Sequence, residues 1–395
     1  MTVLTAETRR PEARELSRVA AFRVEFARDW EWANARSDDV RALTPFQDRR
    51  WLNAWYRAFA GFPDVEPLIA IVSDTATSQQ VALFPLVRRV RRGIRIVEFA
   101  DHNLTDYNAP LLHPAALRDA ASIRRMWRDL LNALKRLPGG SDLVRLRKMP
   151  FELDGRSNPL TLLPGASASF LNSNVVTTGD DFDAYRYSLE RTVRKELERS
   201  WRVFTRHPGA AFRIVSGHDE ALRVLSAMEG QQDARMRHLG QKFMLNDDTC
   251  AAFYRGLVRE NLGSGYAVLT ALMAGGEVVA TLLGVRHGSS YVMVRISNAG
   301  DKWSNCSPGR LIIERTMAAL HRDGVRHFDF SIGNYAYKRR FGVVPVALAE
   351  ITAALSWRGW PFALRDRAAR TLHRYPKLAT RVTRALGRSP SREEN

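Results

Sequence analysis

Two neighbouring stretches carry the residue types that could do chemistry. HFDFSIG places Asp329 between Phe328 and Phe330, and NYAYKRRFG follows with Tyr335, Tyr337, Lys338, Arg339, Arg340 and Phe341. Strand alternation puts Asp329 on the face opposite its two aromatic neighbours. A buried or paired carboxyl beside a phenol and an ammonium is a set that can move protons. The same residues also suit a solvated basic loop anchored by tyrosines, and composition does not separate the two. Just upstream, NAGDKWSNCSPGR opens onto a helix. Ser307 is placed to cap it, Pro308 suits its first turn, and Gly309 lets a ligand approach the backbone. Free N–H groups and the positive end of the dipole make such a start a phosphate site, with Arg310 adding a charge-assisted contact. The local pattern by itself favours a well-capped helix start with no ligand.

Other catalytic signatures are missing from the sequence. There is no phosphate loop of the G-x-x-x-x-G-K-[ST] type, no G-x-S-x-G and no H-E-x-x-H. Gly263-Ser264-Gly265 lacks the third glycine of a dinucleotide fingerprint. The 9 histidines are scattered, and the 2 cysteines, Cys250 and Cys306, stand far apart, so no metal site is expected.

The elements that must position these residues follow from periodicity. Phe22–Phe26 alternates as a strand, and Phe46, Trp51, Leu52, Trp55 and Phe59 fall at helical spacing before Gly61 and Pro63. PLIAIVSD and QVALFPLVRRVRRGIRIVEFA predict strands, the second folded back at Arg92-Gly93. ASIRRMWRDLLNALKRL reads as a helix and DLVRLRKMP as a strand. Residues 151–180 lose periodicity and hold the expected passage between halves. The second half repeats the theme. SLERTVRKELERSWRVFTRHP is a basic amphipathic helix, AAFRIVSG a strand, and ALRVLSAMEGQQDARMRHLG and CAAFYRGLVRENLG are helices. Three strands turn at Gly275-Gly276 and Gly288, followed by helix GRLIIERTMAALHRDG, strand VRHFDFSIG and a last strand at VALAEITAAL. This order predicts an α/β (α+β) protein in which each half builds its own sheet.

With 395 residues and 45% hydrophobic content the chain is sized for about two domains. The boundaries expected are a polar tail over 1–20, one domain over 21–176, a second over 177–357 and a basic amphipathic tail over 358–395. A formal net charge of +18 attracts polyanions, although abundant Arg and Ala also fit simple compositional bias. Phe362, Ala369, Leu372, Tyr375, Val382 and Leu386 lie near helical spacing in the tail. A peripheral contact with an anionic membrane is one reading of it, and a helix packed on the domain with Pro376 as a kink is the other. No apolar h-region and no long apolar run occur, so the expected location is cytoplasmic. No nucleic-acid partner is expected, because aromatic platforms interleaved with basic residues come close only at Tyr335–Phe341.

SPGRLIIERTMAALHRDGVRHFDFSIGNYAYKRRFG, taken with TPFQDRRWLNAWYRAF and LTDYNAPLL, resembles the bacterial GNAT-superfamily acetyltransferases of the cellulose-biosynthesis type, over roughly residues 40–356. These are relatives of the Fem-type peptidoglycan aminoacyltransferases. The resemblance implies two tandem GNAT-like domains, each a mixed, mostly antiparallel sheet flanked by helices. Acetyl-CoA or another acyl-CoA would bind to the second as co-substrate, its pyrophosphate on Ser307, Gly309, Arg310 and Leu311. The thioester would run between the splayed strands YVMVRIS and HFDFSIG. The superfamily's usual Q/R-x-x-G-x-G/A loop is replaced by S-P-G-R, which leaves the donor open. The implied reaction is N-acyl transfer to a primary amine, a small molecule or glycan precursor, in polysaccharide or cell-envelope metabolism. Tyr337 would protonate the leaving thiolate, Asp329 orient the site or relay the amine proton, and Lys338 stabilise negative charge. Asp106 and Tyr107 from the first half, with Arg235 and Trp303 from the second, are the expected acceptor-lining residues. Two alternatives remain: a Fem-type aminoacyl-tRNA-dependent transferase acting on a cell-wall precursor, and a non-catalytic scaffold for an anionic polymer or membrane.

Overall fold

The computed structural model describes residues 21–241, 245, 247–333 and 335–374. The expected polar tail 1–20 and the tail positions Tyr375, Pro376, Val382 and Leu386 lie outside the described residues, as do the side chains of Ala369 and Leu372.

The first half contains β1 (Phe22–Ala27), α1 (Trp30–Asn34), α2 (Arg49–Phe59), β2 (Val65–Pro67), β3 (Ile69–Asp74) and β4 (Gln80–Phe84). It continues with β5 (Leu86–Arg91), β6 (Ile94–Phe99), β7 (Leu111–Leu112), α3 (Ala120–Lys135) and β8 (Leu143–Pro150). Short strands β9 (Glu152–Leu153) and β10 (Arg156–Ser157) precede the long β11 (Ser167–Thr177). Then come α4 (Phe182–Ser188), α5 (Arg191–Phe204), β12 (Ala211–Ile214), α6 (His218–His238) and α7 (Asp248–Asn261). The meander β13 (Ala267–Ala274), β14 (Glu277–His287) and β15 (Ser290–Asn298) leads into α8 (Pro308–Arg322). The chain closes with β16 (His327–Asp329), α9 (Ala336–Arg339), β17 (Val344–Ala354) and α10 (Trp360–Arg374).

Local chemistry accounts for most of these boundaries. Asp48 caps α2 by accepting the Arg50 N–H at 2.9 Å, and Trp51, Leu52, Trp55 and Phe59 form its buried side. Arg92 and Gly93 both take positive φ, 52° and 73°, as a two-residue hairpin turn between twisted strands requires. The two halves share a plan. In each, an antiparallel pair (β5–β6 or β14–β15) is followed by a helix, and the next strand lies parallel to the second member. The fold is therefore mixed α/β, with mostly antiparallel sheets flanked by helices.

The half-sheets do not close separately. One sheet of 11 strands runs β12-β13-β14-β15-β16-β11-β17-β8-β6-β5-β2, and a second of four runs β1-β3-β4-β7. The join is β17, which pairs with β8 of the first half on one side and with β11 on the other. The aperiodic stretch 151–180 thus holds a central strand. Ladder bonds on both edges fix β11, so its Ser- and Asn-rich sequence needs no apolar alternation to form it. An apolar core lies between the halves, where Trp51 of α2 meets Phe253 of α7 edge-on at 5.1 Å.

One topological detail makes the site. β15 pairs with β16 only over Ser290–Val292 against His327–Asp329, and then runs on to Asn298 while β16 stays with β11. The two strands part at Asp329. No helix among the described residues is long and apolar enough to cross a membrane.

Candidate active site

Asp329 is the last residue of β16, and its carboxylate lies in a buried polar cluster that draws on both halves. It accepts a short hydrogen bond from the Tyr107 hydroxyl, bonds from Ser173 Oγ at 3.2 and 3.1 Å, and the Ser331 N–H at 2.7 Å. Tyr107 belongs to the first half and Ser173 to β11, so one carboxylate ties three chain segments together. Ser331, held at φ 64°, faces two ways: its Oγ donates to Asp106, and its carbonyl accepts from Lys338 Nζ at 3.1 Å. Lys338, in α9, also donates to the Ile332 carbonyl at 2.8 Å and is 2% exposed. Two donated bonds leave the third ammonium proton with no oxygen partner among the described residues, and Nζ stands 5.3 Å from the centroid of the Tyr335 ring.

Burial sets the electrostatics. It pushes the Asp329 carboxyl up to about 6 against the pull of Tyr107, the Ser331 N–H, Ser173 and the Lys338 charge. Asp106, partly accessible but crowded by protein atoms, is also raised to about 6 by desolvation. Ser331 and Lys148 oppose that rise, while Asp101 and Asp329 add to it. Burial lowers Lys338 to about 8 despite both carboxylates. The phenol of Tyr107 is held well above its ordinary range by burial and by Asp329. Two carboxyls and an amine are thus drawn toward neutrality from opposite sides, a perturbation found at functional sites and in structural ion-pair networks alike.

The structure brings Asp106, Tyr107, Asp329 and Lys338 into one network. Tyr337 lies beside it, half-buried, stacked on Tyr335 with ring centroids 6.1 Å apart. Its phenol is raised to about 12 by burial, with Arg235 of α6 acting in the other direction. Arg235 is an exposed charge near Tyr337. Trp303 is elsewhere. It packs against Phe204 and His207, with centroids 6.3 and 4.6 Å away, inside the second half's core.

The start of α8 differs from its sequence reading. Ser307 sits at the cap position with φ 45° and ψ 56°, and its side chain caps nothing; Ser307 Oγ accepts from Arg310 Nη2 at 2.9 Å. The tight turn over Asp301–Cys306 forces this left-handed backbone, which turns the hydroxyl away from the helix N–H groups. Leu311 is 0% exposed in the apolar core, so only its backbone is near the helix mouth. Gly309 faces the Asn298 amide, where an added Cβ would stand 3.2 Å from Nδ2. Arg310 is paired with Glu196 of α5, and Arg340 donates to the same carboxylate oxygen at 2.6 Å. Two guanidinium groups beside a helix N-terminus, converging on one carboxylate, form a cradle whose chemistry fits a phosphate group.

Sequence reasoning missed Ser173, Ser331, Lys148 and Arg295. Lys148, at φ 58°, reaches Asp101 at 3.0 Å and the Thr105 carbonyl at 2.8 Å, fixing the loop that carries Asp106 and Tyr107. Arg295 lies on β15 past the parting, 7% exposed, over the Tyr254 ring at 4.7 Å, with Nε on Gln232 at 3.1 Å. None of these has a local motif.

Removing the Tyr107 hydroxyl leaves a buried carboxyl one donor short. Tyr107→Phe is expected to lower unfolding stability by about 1–3 kcal/mol, read from urea transitions at neutral pH. A loss below about 0.5 kcal/mol would show that the hydrogen bond has no structural weight.

The second half defines a class: it carries a GNAT-type fold. Residues 191–339 match the acetyltransferase (GNAT) domain family. Among solved structures the chain is similar to FemX, at 10% identity and TM-score 0.56, covering 84% of this chain and 96% of that one. A conserved protein of unknown function from Bacteroides thetaiotaomicron VPI-5482 aligns at 11% identity and TM-score 0.53, over 85% and 100%. A tandem GNAT protein from the clavulanic acid biosynthesis pathway aligns at 12% and 0.45, over 85% and 99%. No curated protein matches. At such identities the likeness is one of fold.

Proposed function

We propose that this protein transfers an acyl group from acyl-CoA to a primary amine, at the parting of β15 and β16. The observation that carries this reading is the Asp106–Ser331–Lys338 arrangement at that parting, with Asp329 behind it. Acyl-CoA, when bound, supplies the activated thioester. β16 does not pair with β15 from Met293 to Asn298, where Gln232 holds the Ile296 carbonyl at 2.9 Å; this stretch gives the extended donor a strand to lie along, and the Arg310–Arg340 cradle lies near the start of the adjoining helix.

The chain's own residues divide the work. Asp329 accepts from three residues and has little capacity left, so it orients Tyr107 and Ser331. Asp106 accepts a side-chain bond from Ser331 and takes the proton of the incoming ammonium. The third proton of Lys338 faces the developing oxyanion. Tyr337 donates its phenolic proton to the departing thiolate and is restored by the second proton that the attacking nitrogen releases as the amide forms. The acceptor is an amine on a small molecule or glycan precursor, entering between the halves.

One observation favours a second reading. Glu196 already neutralises Arg310 and Arg340, so a CoA pyrophosphate must displace it. A Fem-type aminoacyl-tRNA donor with no CoA group would not need that. Calorimetry with acetyl-CoA and longer acyl-CoAs separates them. Micromolar binding is expected, abolished in Arg310→Ala/Gly309→Val and tightened about threefold or more in Glu196→Gln, where the competing carboxylate is neutralised. No binding of any acyl-CoA to the unmodified protein or to Glu196→Gln would remove this donor and bring charged tRNA forward.

A further inference from the structure

Arg295, on β15 beyond the parting, is a buried charge whose hydrogen bonds go to a neutral group. It is 7% exposed, and Nε and Nη2 both donate to Gln232 Oε1, Nε at 3.1 Å. Nη1 is covered and meets no hydrogen-bond acceptor among the described residues. Two of the five N–H donors of the guanidinium are thus used. The Tyr254 ring lies against the group at 4.7 Å. Glu229 acts on Arg295 only at longer range, and Arg255 holds both oxygens of that carboxylate, Oε1 through Nε at 3.1 Å. A neutral amide and a ring face offset part of the cost of burying a charge, and an anion offsets more. Fastening α6 to the sheet does not require the charge either. Gln232 Nε2 already holds the Ile296 carbonyl at 2.9 Å, and Ser297 Oγ donates to Gln231 at 2.6 Å.

A bulge sets the side on which this residue stands. β15 pairs Met293 with Gly284 and Arg295 with Leu283, which leaves Val294 as the extra residue. Val294 and Arg295 therefore share a side. Val294 packs on the apolar core between the halves, and Arg295 lies over Tyr254 of that same core. Met293 and Ile296 face the other way, into the core that α5 and α8 share. The Arg310–Arg340 cradle belongs with those two helices, so Arg295 is not part of it. On its own side the first half supplies Tyr107, a member of the same core, with Asp106 next to it in the chain. Tyr254 feels both charges: burial holds its phenol well above the ordinary range, Arg295 pulls it down and Asp106 pushes it up. Gln232 and Val294 are only half-buried, so the guanidinium lies close beneath the surface.

We propose that the acceptor is an amino acid, its amine at Asp106 and its carboxylate on Arg295. The amine half of this assignment rests on the acyl-transfer reading, and the carboxylate half does not. The end of the guanidinium that Gln232 leaves free, Nη1 with the second N–H of Nη2, suits the two oxygens of a carboxylate. Nη1 is covered in the free protein, so binding includes a turn of this side chain toward the ligand. An amine without a carboxylate leaves the buried charge as it stands, and the site rejects it for that reason.

Calorimetry on the full chain, with and without CoA, tests the carboxylate site by itself. The probes are the common α-amino acids, β-alanine and γ-aminobutyrate, each beside its carboxamide. At least one acid should bind, and its carboxamide should bind about tenfold or more weakly. Arg295→Gln should bring that acid down to the level of its carboxamide while acetyl-CoA binding stays unchanged. Gln232→Glu sets a carboxylate against the guanidinium from within the chain. It should weaken the acid about tenfold or more and raise the melting temperature. An Arg295 that only packs α6 on β15 would produce no difference between acid and carboxamide in any of these proteins. No acid bound by the unmodified protein, equal binding of acid and carboxamide, or acid binding that survives both variants overturns the proposal. Failure of acyl-CoA to bind, with the acid still held by Arg295, supports the carboxylate site and removes only the reaction proposed above.

Discussion

Lys338→Met is expected to lower turnover about 100-fold or more while the protein stays folded. Methionine keeps the straight chain and fills the same buried space, so the change isolates the ammonium. What is lost is a positive charge near Asp106 and Asp329 and a donor facing the carbonyl under attack. The carbonyls of Ser331 and Ile332 lose a partner too, so a modest fall in melting temperature accompanies the kinetic loss. A pH profile separates the two effects. With its pKa lowered to about 8, Lys338 is charged below that pH and neutral above it, so activity in the unmodified protein should decline as pH rises through about 8. The variant has no such group, and its profile should lack the alkaline limb. Release of free thiol from acyl-CoA in the presence of an amine acceptor measures both. Turnover within about threefold of the unmodified protein would take Lys338 out of the chemistry.

How far the sequence reveals this site depends on which interactions are local. Asp329 and Lys338 are legible because strand alternation and a short spacing fix where they stand relative to their own neighbours. The α8 start is legible as a helix but not as geometry. The preceding turn sets the left-handed backbone at Ser307, and Glu196, far back on α5, claims Arg310. Trp303 looks available beside that loop, yet Phe204 and His207 cover it from α5 and the turn beyond. β11 is the clearest loss. Ser173 and Asn174 make it look like a loop because both serve long-range contacts: Ser173 reaches Asp329, and Asn174 Nδ2 holds the Ser331 and Gly333 carbonyls at 3.0 Å each. A strand whose polar residues build a site cannot show the apolar alternation that would announce it. Asp106 and Tyr107 stood out through LTDYNAPLL, whereas their meeting with Asp329, more than two hundred residues later, is a product of the shared sheet.

The two carboxylates of this site should be separable, although both are raised to about 6. Ser331 links them and each disfavours charge on the other, so the acid limb of the profile belongs to the pair. In the unmodified protein activity should rise as pH increases through about 6, where the ionised base appears. With the Lys338 limb this gives a bell between about 6 and 8. Asp106→Asn removes the group that takes the ammonium proton and is expected to cost about 100-fold or more in turnover. It should also shift the remaining acid limb downward, because Asp329 then ionises without the Asp106 anion near it and with Lys338 still beside it. Asp329→Asn acts differently. It breaks the anchor shared by Tyr107, Ser173 and Ser331, so stability falls, while the limb carried by Asp106 persists at lower pH. Carboxyl titrations by carbon-13 NMR read the same assignment without an acceptor. The Asp106 resonance should move below about 6 in Asp329→Asn, since removing a neighbouring anion favours ionisation. If instead Asp329→Asn abolishes the acid limb and Asp106→Asn leaves turnover near normal, the base is Asp329, and Asp106 serves only to hold Ser331.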